Sequence, residues 1–225
     1  MVIVPLDVRD ERSVRSCIEA VLDRAGHIDA LVNNAGYALV GALEETSLKE
    51  ARDLFETNFF GVLAMSKAVL PIFRRQGSGR IVNIGSAVGF IPAPYQALYS
   101  ASKHAIEGYS ESLDHEVRQF GIRVSVVEAG FTRTNIAANL QYAHDLLEPY
   151  ETDRRSVIDA VRKNVAEGDN PHNVALIVAE AITSRSPRQI YLAGRDARLV
   201  SLLRKFAPSR LFEKGLRKQF GLASA

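Results

Sequence analysis

Cysteine is nearly absent. Cys17 is the single example, which excludes an intrachain disulfide and disfavours a thiolate metal cluster, so no metal site is expected. A reducing cytoplasm is the expected location. Long apolar runs are also missing: none reaches the roughly 20 residues needed to cross a bilayer. Met1 is followed by a short β-like run, not by a basic segment and a cleavage site, so neither membrane insertion nor secretion is expected. Charge of one sign is a third absence. The 28 Lys and Arg against 26 Asp and Glu leave +2, which argues against a nucleic-acid surface and against an acidic partner. Internal repeats, low-complexity tracts and linkers rich in Pro, Gly or Ser are lacking as well. The 225 residues, 47% of them apolar, therefore read as one domain with one substantial core.

What is present is an alternation. Short apolar runs at Val2 to Leu6, Ile28 to Val32, Arg80 to Ile84, Ile122 to Val127 and Gln189 to Leu192 are separated by helical patterns. Those helices are expected at Asp10 to Ala25, Ser47 to Arg75, Ala97 to Phe120 and Asn173 to Thr183. Strand and helix in turn predict an α/β fold, a parallel sheet with helices on both faces. Val14, Cys17, Ile18, Val21 and Leu22 fall on one helical face, with Gly26 as a stop. Ser47 and Glu50 fit a capping box, and Pro71 is expected to bend or end the helix that the box opens. Residues 130–171 are the least regular part, suited either to a mobile lid with an apolar inner face or to an amphipathic helical pair.

Tyr99 and Lys103 stand one helical turn apart on one face. A nearby cation favours the phenolate and brings a tyrosine toward working pH, whereas two solvated surface side chains would show the same spacing. Ser86 follows the strand Arg80 to Ile84 and precedes Tyr99 by thirteen residues, which lets a strand end and a helix meet at the carboxyl edge of the sheet. Its hydroxyl could hold a substrate oxygen while Tyr99 exchanges a proton. Asn58 lies in an otherwise apolar helix and needs a partner, for which a backbone bond would suffice.

Asn33-Asn34-Ala35-Gly36, Asn58, Ser86, Tyr99-Ser100-Ala101-Ser102-Lys103 and the opening Leu6-Asp7-Val8 together resemble the successive motifs of short-chain dehydrogenases/reductases, in that family's order and spacing. The resemblance runs from Met1 to about Gly194. Relatives that epimerise nucleotide sugars share Tyr-x-x-x-Lys, but Asn-Asn-Ala-Gly and the short length favour the dehydrogenase branch. The resemblance implies a Rossmann-like, doubly wound parallel sheet and a nicotinamide cofactor, NADP or NAD. It implies Tyr99 as proton donor or acceptor, Lys103 as its pKa modifier and ribose ligand, Ser86 as carbonyl anchor, and Asn58 as holder of a water linking Lys103 to solvent. Asp7 and Val8 would meet the adenine. Asn34, Ala35 and Gly36 would line the adenosine ribose and the sheet centre. Gly130, Thr132 and Thr134 would complete the cofactor site, Thr134 touching the carboxamide or a phosphate.

Two departures stand out. Glu128-Ala129-Gly130 replaces the family's usual Pro-Gly, which predicts a looser nicotinamide loop. The family's first strand, its Gly-x-x-x-Gly-x-Gly turn and its second strand have no counterpart in the sequence. The expectation is a sheet missing its first two strands and a dinucleotide bound less tightly than in a version extended upstream. Val2 to Leu6 would then move in beside Ile28 to Val32, leave a gap, or see another chain pair there.

The basic tail, Leu199 to Phe220, could rest on an anionic membrane, or pack over the substrate mouth or a sister subunit. The whole reads as an oxidoreductase interconverting a lipophilic secondary alcohol and a ketone, in a homo-oligomer. A non-catalytic interaction protein on the same scaffold is the rival; the missing glycine turn supports it and the retained catalytic side chains oppose it.

Overall fold

The computed structural model describes residues 2–134 and 140–223. Helix α1 (Glu11–Ala25) begins and ends as its sequence dictates. The Asp10 carboxylate accepts the N–H of Arg12, and Gly26, at φ +75°, closes the last turn on the Leu22 carbonyl. Strands β1 (Ala30–Asn33) and β2 (Leu39–Val40) follow. Helix α2 (Leu48–Phe55) opens on the expected box, in which Ser47 Oγ accepts the Glu50 N–H and the Glu50 carboxylate accepts the Ser47 N–H.

The long helix expected from Ser47 to Arg75 is not uniform. A π turn at Glu56–Phe60 joins α2 to α3 (Gly61–Gln76). Pro71 does not end α3, which runs on to Gln76. Pro71 and Lys67, whose carbonyl loses its helical partner, both lie on the exposed side where water can replace the bond, while Ile72 and Phe73 anchor the last turn in the core.

The remaining elements are β3 (Gly79–Ile84), α4 (Ala97–Val117), β4 (Ile122–Ala129), β5 (Gln141–Tyr142), α5 (Glu151–Ala166), α6 (Pro171–Thr183), β6 (Ile190–Ala193), α7 (Arg195–Phe206) and α8 (Ser209–Gln219). The main sheet has the order β1-β3-β4-β6 with every pair parallel, so the α/β expectation holds. Ile81 and Val124 pack with Val14, Val69, Phe73 and Leu113 on the side of α1, α3 and α4. Val82 and Val127 pack with Ala181 and Tyr191 on the side of α6. Both sheet faces are thus buried, which is why the strands read as unbroken apolar runs. A further cluster, including Leu39, Leu54, Tyr99, Val157, Val161 and Phe220, sits over the carboxyl end of the sheet.

Val2 to Leu6, read from the sequence as a strand, is not one. It pairs with no described strand, and Val2, Ile3 and Leu6 are exposed, because an extended segment without a ladder partner has nothing to fix it. Strand β1 is therefore an edge of the described sheet.

In the region read as a lid, Leu147, Tyr150 and Arg154 are tied to Glu44 and Glu45. Glu45, fully buried, accepts the Leu147 N–H at 2.8 Å and pairs with Arg154 of α5, and the Tyr150 hydroxyl donates to Glu44 at 2.8 Å. Asn135 to Asn139 lie outside the described residues.

Candidate active site

Parallel strands present their carboxyl ends to one side of a sheet, and there the chemistry-bearing residues meet. Ser86 directly follows β3 in extended backbone and starts a 3₁₀ turn, its Oγ accepting the Val88 N–H at 3.4 Å. Tyr99 and Lys103 project from the first turns of α4 and are both buried. Lys103 Nζ donates to the Ile84 carbonyl at 2.8 Å and lies 5.9 Å from the centroid of the Tyr99 ring. Strand β3 thus supplies Ser86 as well as the carbonyl that anchors Lys103.

Asn58 reaches the same region through the π turn, a distortion that recurs at functional sites. Its amide donates to the Tyr37 carbonyl at 2.9 Å and to Ser102 Oγ at 3.2 Å, and its Oδ1 accepts the Tyr37 N–H at 3.0 Å. The backbone-bond reading of Asn58 is what the structure displays: the side chain ties the loop after β1 to α4. Gly36 leaves room for it, since a Cβ there would sit 3.0 Å from Asn58 Oδ1. The serines around Tyr99 are equally structural, Ser102 donating to the Tyr99 carbonyl at 2.8 Å and Ser100 accepting the Ala93 N–H at 3.3 Å. Asn33 joins a buried chain in which it donates to Asn83 at 2.8 Å and Asn83 donates to Ser110 at 2.8 Å.

Ser86, Tyr99 and Lys103 line a cavity of about 840 Å³ together with Asn34, Gly36, Gly130, Thr132 and Thr134. Much of the remaining lining is apolar, including Leu140, both Val161 and Val165 of α5, and Phe212, Leu216 and Phe220 towards the C-terminal end. The basic tail forms two helices broken at Pro208, and residues of both line the cavity. Val8 and Ala35 lie elsewhere, in a cavity of about 140 Å³ beside β1 that shares Asn34 with the larger one. Asp7 lines neither cavity. Hydrogen bonds from the Arg9 side chain and N–H, at 2.9 to 3.0 Å, hold its carboxylate down at a pKa of about 2.

The described part of the loop after β4 is hydrogen-bonded to its neighbours. Gly130 N–H donates to the Ala193 carbonyl at 3.0 Å, Thr132 Oγ1 donates to the Gly130 carbonyl at 3.0 Å, and Arg133 N–H donates to the Asp169 carbonyl at 2.9 Å. A correction concerns Tyr99. The expectation was that Lys103 lowers its pKa, but burial pushes the phenol up to about 12, against a smaller downward pull from Ser86. Burial likewise lowers Lys103 to about 8, with Glu128 pulling the other way. One ammonium N–H goes to the Ile84 carbonyl and Nζ lies 5.9 Å from the ring centroid, so desolvation of the phenol dominates.

Glu128, at the end of β4, is the residue that sequence reasoning missed. Fully buried, it accepts the Ser86 N–H through Oε2 at 2.9 Å and its pKa is raised by burial and by Glu107, one turn beyond Lys103 on α4. An acidic residue inside an apolar strand was the available signal.

Among the described residues no cluster of three or more His, Cys, Asp or Glu could hold a metal, and no helix is long and apolar enough to cross a membrane. Residues 1–145 match the family profile described as short chain dehydrogenase. The chain is 36% identical over 222 residues, 96% of its length and 79% of the relative's, to the uncharacterized oxidoreductase YusZ of Bacillus subtilis. It is 36% identical over 184 residues to the 3-ketodihydrosphingosine reductase of Bacteroides thetaiotaomicron, covering 81% of this chain and 68% of that protein. Among solved structures, a short-chain dehydrogenase from Streptomyces avermitilis superposes with a TM-score of 0.77 at 33% identity, over 97% of this chain and 79% of that one.

Proposed function

The chain belongs to the short-chain dehydrogenase family, and from that premise we propose that it interconverts a lipophilic ketone and its secondary alcohol with NADPH or NADH as partner. The observation that carries the reading is the convergence of Ser86, Tyr99 and Lys103 on one cavity whose lining is otherwise largely apolar. The name of the Bacteroides relative, a 3-ketodihydrosphingosine reductase, supports a lipophilic ketone.

In this reading the Ser86 hydroxyl holds the carbonyl oxygen, and Tyr99 gives that oxygen its proton as negative charge develops. A phenol with a pKa of about 12 stays protonated at neutral pH, which suits it to the reductive direction. Lys103, held by the Ile84 carbonyl, presents a buried donor beside the phenol and would bind ribose hydroxyls. Asn58 keeps α4 and the loop at Tyr37 in register, so its part is to hold Tyr99 and Ser102 in place.

The residues present fit the nicotinamide end of the cofactor: Asn34, Gly36, Gly130, Thr132 and Thr134 would hold it, polar or small groups in the cavity that Lys103 also lines. Val8 and Ala35 would serve the adenine end, with Asp7 beside them. The sequence contains no Gly-x-x-x-Gly-x-Gly run for the pyrophosphate. When bound, the nicotinamide supplies the hydride.

The test is to incubate the protein with NADPH or NADH and a panel of long-chain ketones. Loss of the reduced dinucleotide should match alcohol formation, and Lys103→Met should weaken dinucleotide binding about tenfold, or about 1.4 kcal/mol. No consumption with any ketone, together with unchanged binding by Lys103→Met, would remove the proposal.

A further inference from the structure

Beneath the Ser86 turn, two carboxyl groups meet away from water. Glu128 comes from the end of β4 and Glu107 from α4, where Tyr99, Lys103 and Glu107 follow one another at single-turn spacing on one face. The turn above them is shaped to admit both. A Cβ on Gly85 would lie 2.6 Å from Glu128 Oε1, and one on Gly89 would lie 2.5 Å from Glu107 Oε1. Any side chain at either glycine would collide with a carboxylate.

Hydrogen-bond accounting exposes the conflict. Glu128 Oε2 is satisfied by the Ser86 N–H, but Glu128 Oε1 and Glu107 Oε1 are both buried without a donor. A buried acceptor without a partner is costly, and two ionised carboxylates in contact are costlier. One proton shared by the two carboxyl groups supplies the donor that both lack.

We propose that Glu107 and Glu128 share one proton and act as positioning residues, fixing the Ser86 turn and holding a single negative charge beside Lys103. The inference rests on the catalytic reading of Ser86, Tyr99 and Lys103 given above. Glu128 carries the proton, donates it toward Glu107 through Oε1 and accepts the Ser86 N–H through Oε2, so the carboxyl pair sets where the Ser86 hydroxyl stands relative to Tyr99. Burial raises the pKa of Glu128, the neighbouring charge of Glu107 raises it further, and the Ser86 N–H and Lys103 oppose the rise. Burial raises Glu107 as well, with Glu128 and His104 pulling down and Glu111 pushing up. Tyr99 feels the same pair, since the charge of Glu128 raises it. As the medium turns alkaline the shared proton leaves, the two anions repel, and the Ser86 turn above them shifts.

The experiment has one arm that needs no turnover. The infrared difference spectrum of wild type minus Glu128→Gln at neutral pH should show the carbonyl stretch of a protonated carboxyl, and titrating wild type alone to alkaline pH should remove that band. Its absence overturns the shared proton whether or not the protein reduces ketones. In the kinetic arm, Glu128→Gln keeps a donor toward Glu107 and an acceptor for Ser86, so its kcat at neutral pH should stay within a few-fold of wild type and its alkaline limb should move upward. Glu128→Ala leaves the Ser86 N–H unpaired, and its kcat should fall by about 10²-fold. A Glu128→Gln protein as impaired as Glu128→Ala, or a Glu128→Ala protein with the wild-type pH profile, overturns the positioning role.

Discussion

Two buried carboxylates mark the two ends of strand β4, and they are treated in opposite ways. Against the start of the strand Asp114 of α4, with no exposed surface, accepts from Arg123 Nε and the Val124 N–H at 2.9 Å, from Arg118, and from Gln189 at 3.2 Å. Burial alone would raise its pKa, but hydrogen bonds from Arg123, Arg118 and Val124 outweigh that and hold it down at about 2. At the end of the strand Glu128 receives one backbone N–H and faces a second carboxyl. The amino end of the sheet resolves its buried charge with cations. The carboxyl end keeps its conflict, and that is where Ser86, Tyr99 and Lys103 stand. A buried carboxylate paired by cations at one edge and a pair of buried carboxyl groups in conflict at the other separate the stabilising end of a fold from its chemical end.

Removing the satisfied carboxylate is the largest way to test this contrast on stability. Asp114→Ala strips the partner from two arginines and a backbone N–H and should destabilise the protein by about 3 kcal/mol in urea unfolding. The cavity at Ser86, Tyr99 and Lys103 should be untouched in any protein that stays folded. A loss under about 1 kcal/mol would show that the arginines, partly exposed, rehydrate freely.

A smaller effect sharpens the comparison through pH. Folded Asp114 gives up its proton more readily than an ordinary aspartate at 3.8, so its contribution is complete above that value and is lost as the pH falls toward about 2. Glu128 is the reverse case. Its folded pKa is raised above the ordinary 4.5, so the folded state keeps a proton that the unfolded chain releases, and stability declines as the pH climbs above 4.5. Urea midpoints measured from mildly acidic to mildly alkaline pH should fall in wild type and fall less in Glu128→Gln. Parallel curves would remove Glu128 as the titrating group.

Much of this architecture was legible in the sequence because local signals and packing agreed. The apolar periodicity of Val14, Cys17 and Ile18, the Ser47–Glu50 box and Gly26 all lead to the observed α1 and α2. Tyr99, Lys103 and Ser86 could be placed because one helical turn and one strand end fix them. The π turn at Glu56–Phe60 was not legible, since it depends on Asn58 bonding to Tyr37 and Ser102, residues 21 and 44 positions away. Val2 to Leu6 has the composition of a strand and no neighbour to make it one. Glu128 looked like part of a changed loop motif. Its meaning comes from Glu107 on another element, which no pattern within β4 reveals.

The central claim is that Tyr99 moves the proton at the carboxyl edge of the sheet. The most direct test compares wild type with Tyr99→Phe, supplying a reduced dinucleotide and a ketone that wild type accepts. Removing only the hydroxyl should lower kcat by about 10²–10⁴-fold and leave KM and dinucleotide affinity nearly unchanged. Turnover by Tyr99→Phe at the wild-type rate would contradict the account, because another group would then be handling the proton.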